Sequence, residues 1–182
     1  MDIDEHPDAI DLKLHAFNRK NKGRFGAWRS WFLPNRPGIN AFLHEHPGAN
    51  AVNDLREIIM AGWQGVLKDD PEKALNDIER MDWDRRLSEG EADEMGADEC
   101  LGCVRGMLMA VQGHSPVHAA MWGERVIDFL DYENAPPVQS AAEHEALLLE
   151  ECRLPIGFLD ALKKNGSKRN IDSFPHAAQL AT

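Results

Sequence analysis

A chain of 182 residues with 43% hydrophobic content, five Trp and seven Phe has enough apolar surface to offset the entropy of ordering it, which excludes an intrinsically disordered protein. Its formal net charge of −11 predicts a surface that repels nucleic acid and anionic lipid. No run of 18 apolar residues occurs, so no membrane-spanning helix is expected, and the acidic start MDIDEHPDAIDL lacks a signal peptide's basic region.

β-Branched residues are sparse, whereas Ala, Leu, Glu, Asp and Met are plentiful, which points to an all-α protein. The first helix is expected from Asp8 to about Phe17, with Ile10, Leu14 and Phe17 at helical spacing. A basic, aromatic island follows, KLHAFNRKNKGRFGAWRSWFLPNR over residues 13–36. It holds Lys13, Arg19, Lys20, Lys22, Arg24, Arg29 and Arg36 and no acid, while residues 1–12 hold five acids and residues 37–182 hold 13 basic against 26 acidic residues. Asn18, Asn21, Gly23 and Gly26 weaken helix in its middle. Phe25, Trp28, Trp31 and Phe32 can still line one face of a short helix that Pro34 ends. Pro37 and Gly38 open another short helix, closed by Pro47 and Gly48.

From residue 51 to 68 an apolar stripe of Val52, Leu55, Ile59, Trp63 and Val66 predicts a core-facing helix. Asp70 and Pro71 have the form of an N-cap and N1 pair, starting a helix that fades near Leu87. Ser88-x-x-Glu91 has capping-box form and starts a helix to about Gln112, with Gly113 at C′. Ser115 and Pro116 restart a helix to about Glu133, and Ser140-x-x-Glu143 caps one to Arg153. Pro155 is expected to begin a final short helix ending at Asn165-Gly166. The result is a single-domain helical bundle of six to eight helices with a basic-aromatic N-terminal arm at 1–48, the bundle proper at 49–166 and a loosely ordered tail at 167–182.

Cys100, Cys103, His114 and His118 read C-x2-C-x10-H-x3-H, a set of zinc-ligand types. A helix over 99–112 places His114 about 20 Å along the axis from Cys100, too far for one ion, so buried thiols are the simpler expectation. Asp93, Glu94, Asp98 and Glu99 also disfavour a thiolate at Cys100 or Cys103. Gly113-His114-Ser115-Pro116-Val117 lacks the second Gly and preceding strand of a nucleophile elbow. Neither HExxH, ExxH nor a glycine-rich phosphate loop occurs, so no catalytic residue is assigned and no cofactor is implied. Three cysteines, an odd number, suit a reducing, cytoplasmic setting.

Two regions are candidates for binding a partner. One is the island, through Arg24, Phe25, Trp28, Arg29 and Trp31, residue types enriched in interface hot spots. The other is the acidic run holding Glu91, Asp93, Glu94, Asp98 and Glu99, which can oppose a basic protein groove. These predict a non-enzymatic interaction protein, a regulator or inhibitor of a larger protein complex, with nucleic-acid-handling complexes among the candidates. The alternatives are a nucleic-acid-binding regulator that uses 13–36, with cations on phosphate and aromatics on unpaired bases, or a small zinc protein.

Overall fold

A computed structural model describes residues 6–45, 49–67, 71–79, 92–113, 125–131, 133, 140–165 and 170–174. The chain is all-α. Its elements are α1 (His6–His15), α2 (Arg19–Phe32), a 3-10 turn (Leu33–Asn35), α3 (Pro37–Glu45), α4 (Ala49–Gln64), α5 (Pro71–Glu79) and α6 (Ala92–Gln112). A helical stretch at 125–131, labelled α7, precedes α8 (Ala141–Asn165) and a second 3-10 turn (Ile171–Ser173). Among the described residues these make eight α-helices and no strand.

The centre of the bundle is α2, packed mainly on α6 and α4. Its Asn18 and glycines, expected to interrupt a helix, are compatible with 14 residues of it. Asn18 acts as N-cap, its side chain accepting from the Asn21 N–H at 3.0 Å. Gly23 and Gly26 lie one turn apart where α6 crosses. A Cβ on Gly26 would sit 2.7 Å from Met107 Cβ and 3.0 Å from Met107 Cα, and one on Gly23 would sit 2.9 Å from Val111 Cγ2. Two glycines in a helix cost about 0.5–1 kcal/mol each. Here they let two helix backbones approach closely enough to bury the stripe on either side, and helical stability in a bundle comes chiefly from such packing.

Several expected boundaries are found in place. Pro71 opens α5, and Gly113 follows α6 in the left-handed region with φ 93°. Ser140 and Glu143 form the reciprocal capping box, the Glu143 N–H donating to Ser140 Oγ at 3.3 Å and the Ser140 N–H to Glu143 Oε2 at 3.1 Å. The Ser140 hydroxyl, donating to Glu143 Oε2 at 2.5 Å, and then the Ser140 N–H hold the Glu143 carboxyl below its usual range. The expectation at Pro155 is corrected, because α8 runs straight through it. Leu148, Cys152, Pro155, Leu159 and Leu162 are all buried along one stripe, and that packing outweighs the ~3 kcal/mol a mid-helix proline costs. Ser88 and the helix start expected there lie outside the described residues, as does the start of the helix expected at Ser115.

The expected N-terminal arm is part of the core. Ile10, Leu14, Phe25, Trp28, Phe32, Leu33, Ile39 and Leu43 are buried in the same cluster as Val52, Leu55, Ile59, Val104, Met107, Phe129 and Phe158. Even Ile171, in the stretch expected to be a loose tail, is buried there.

Candidate partner-binding site

Arg24 and Arg29 of the island are buried and Lys13 and Arg36 half-buried, each against a polar group of the same chain, while Arg19 and Lys20 are exposed. Arg24 Nε donates to the carbonyl of Trp63 at 3.0 Å, in the last turn of α4, where helix carbonyls lack intrahelical partners. Its Nη1 donates to Asn21 Oδ1 at 3.1 Å. Arg19 and Lys20 extend the same pattern. The Arg19 guanidinium lies against Gly113 beyond α6, and the Lys20 stem lies over Gly65, which ends α4 at φ 72°. The first turns of α2 therefore place cations at the C-termini of two helices, where the helix dipoles favour them. Lys13 pairs with Asp160 of α8 at 2.5 Å, which holds that carboxyl below its usual range. Arg36 pairs with Glu133 and lies 5.3 Å and 5.5 Å from the Phe32 and Phe129 ring centroids.

Arg29 is the most demanding case. Its side chain and that of Glu151 are both fully buried, 122 residues apart in sequence, and they form an ion pair. The guanidinium also sits 5.4 Å from the Trp28 ring centroid.

The aromatics follow the cations into the core. Trp28 is 1% exposed, stacked on Phe158 with centroids 4.4 Å apart and planes 4° from parallel. Its Nε1 donates to the Phe174 carbonyl at 2.7 Å. Phe25 is fully buried against Trp28 and Phe158. Trp31 alone of the candidate residues in the island is half-buried, its Nε1 donating to Asp172 Oδ1 at 2.6 Å. A base-stacking platform made of Phe25 and Trp28 is therefore closed in this conformation.

The acidic candidates divide. Glu91 lies outside the described residues, and Asp93 and Glu94 belong to the first turns of α6. Asp98 is half-buried, while Glu99 is buried and accepts from Arg125 Nη1 of α7 at 2.9 Å. Burial pushes the Glu99 carboxyl up to about 7; the Arg125 guanidinium opposes this, and Asp98 and Asp128 add to it. The unfolded chain ionises this group near its ordinary 4.5, so between the two values the folded state binds more protons. Stability should fall as pH rises from about 5 to about 7.5. Urea unfolding across that range should show the decline, and Glu99→Gln should flatten it. Asp160 and Glu143, both held low, lose their contributions only at more acidic pH.

Cys100 and Cys103 are fully buried within α6, and His114 and His118 lie outside the described residues. Burial drives the Cys100 thiol well above its usual range and Cys103 up to about 12, with Cys152 of α8 raised to about 11. Burial thus disfavours the thiolate that nucleophilic attack requires. Among the described residues no group of three or more His, Cys, Asp or Glu is placed to hold a metal.

Additional acids stand on α7 and α8. Asp128 and Asp131 are exposed one turn apart on α7, and His144 Nε2 of α8 lies 3.1 Å from Asp131 Oδ1. Glu143 and Glu145, on either side of His144 in α8, are exposed as well. Burial, with Asp131 adding to it, raises the Asp128 carboxyl above its usual range. Glu143 and Glu145 belong to the acidic run 143–151 that the sequence displays; the contact of His144 with α7 had no local signal in it. A search for similar proteins found no matching family model, no matching curated protein and no matching solved structure.

Proposed function

We propose that the protein is a non-enzymatic interaction protein that binds a basic surface of a larger protein complex through its acidic helix faces. One observation carries the reading. Lys13, Arg24, Arg29 and Arg36 face a carboxylate, a helix-end carbonyl or an aromatic ring of the same chain, and Arg19 and Lys20 lie exposed against helix C-termini, so much of the island's charge is offset within the chain and the net excess is negative. Asp128 and Asp131 on α7 and Glu143 and Glu145 on α8 are exposed acids. Opposed charge speeds encounter and selects partners by sign. A phosphate-binding groove of a nucleic-acid-handling protein is one basic surface of this kind. The nucleic-acid reading of residues 13–36 would require Phe25, Trp28 and Arg29 to leave the core, and the zinc reading would require ionised Cys100 and Cys103.

The test is affinity capture from the native cell with nuclease present, using the wild-type chain and a form carrying Asp128→Asn, Asp131→Asn, Glu143→Gln and Glu145→Gln. The expected result is one dominant basic protein, released as salt rises and not retained by the neutralised form at unchanged thermal stability. Retention by the neutralised form, or capture that disappears on nuclease treatment, would overturn the reading.

A further inference from the structure

A pocket of about 150 Å³ opens between α2 and the C-terminal 3-10 turn, lined by Trp28, Trp31, Phe32, Asn35, Ile171, Asp172 and Phe174. Its walls are aromatic and aliphatic apart from one amide and one carboxylate. Known small-molecule sites run to several hundred Å³, so this volume admits a head group of a few heavy atoms and excludes a nucleotide or a flavin.

The polar groups are held in place by hydrogen bonds on every side. Asp172 Oδ1 accepts from Trp31 Nε1 at 2.6 Å, and its Oδ2 accepts from Asn170 Nδ2 at 3.0 Å. Asn35 Nδ2 donates to the Trp31 carbonyl at 2.6 Å, and Trp28 Nε1 ties the Phe174 carbonyl to α2. Both donors to Asp172 are neutral, so its negative charge is not compensated by them. Trp28 is occupied by Phe158 on a face, and Phe32 has the Arg36 guanidinium over it. Trp31 differs. Among the described residues no ring or guanidinium lies on it, and it is half-buried with its N–H fixed to a carboxylate. A hydrogen bond from the indole N–H to an anion shifts electron density into the ring, which strengthens its attraction for a cation over its face.

We infer that this pocket binds a methylated ammonium head group, seated on Trp31 beside Asp172. Charge and shape both favour that class. An aromatic face next to a carboxylate attracts a cation, and aromatic surroundings suit one that is poorly hydrated. Both Asp172 oxygens already accept a hydrogen bond, so the site supplies charge and π-surface more than vacant acceptors. A fully methylated nitrogen has no N–H to satisfy, unlike a lysine ammonium or a guanidinium.

The experiment follows the indole N–H signals of the ¹⁵N-labelled full chain while tetramethylammonium or choline is added at constant ionic strength. 3,3-Dimethylbutanol serves as the uncharged counterpart of choline. The Trp31 signal should shift saturably with either cation, at an affinity at least about tenfold better than with the neutral alcohol. Asp172→Asn, read from the same signal, and Trp31→Leu, read by titration calorimetry, each confirmed folded by the retained Trp28 signal, should weaken binding by about tenfold or more. A trimethyl-lysine peptide that binds tighter than choline would assign the head group to a modified protein, and choline binding the tighter would assign it to a small molecule. An unsaturable shift, equal binding of the alcohol or of an unmodified lysine peptide, or full binding by Asp172→Asn would overturn the inference.

Discussion

Arg29→Met should destabilise the fold by about 3–5 kcal/mol, because it removes the guanidinium that balances the Glu151 carboxylate in a fully buried site. Glu151→Leu alone should cost a similar amount by removing the carboxylate from the buried guanidinium. The double variant should recover most of the loss, since two apolar side chains of comparable volume need no desolvation of charge. Urea unfolding of the four forms closes the cycle, and the coupling between the positions should be large and positive. If the double variant were as unstable as the sum of its parts, the pair would be contributing packing rather than charge compensation.

Trp28→Ala should cost about 3–5 kcal/mol, the range for removing a large aromatic from a core. Three contributions are lost together: the stack on Phe158, the contact with Phe25 and the bond from Nε1 to the Phe174 carbonyl. Trp28→Phe separates them. It keeps an apolar ring but removes the donor to a half-buried carbonyl, which should cost about 1–3 kcal/mol. Amide exchange should report the difference, with faster exchange around 171–174 in Trp28→Phe and across α2 as well in Trp28→Ala.

Helix count and class were legible because periodicity is local. The stripe of Val52, Leu55 and Ile59, Pro71 at a helix start and the Ser140–Glu143 capping box each declare themselves within four to eight residues. Gly23 and Gly26 misled for the same reason. Propensity assigns them a cost, and the contact with Met107 and Val111 that repays it comes from a helix some eighty residues on. Pro155 is a comparable case, where a tertiary stripe overrides a local breaker. For the candidate site, residue types were readable and orientation was not. Pairing of the 13–36 cations with acidic helices of the same chain is readable from the opposed charges, but nothing near Arg29 indicates Glu151 as the acid it meets. The pocket at Trp31 needed residues 172 and 174, which the sequence marked as a loose tail.

The separation between Arg29 and Glu151 also bears on how the chain is made. During synthesis the guanidinium emerges 122 residues before its carboxylate, an interval of roughly 6–24 s at about 5–20 residues per second. The first 36 residues sum to +2, and the acids that follow turn the growing chain negative by about residue 70, so most of the chain's negative charge is in place before Glu151 arrives to meet the guanidinium.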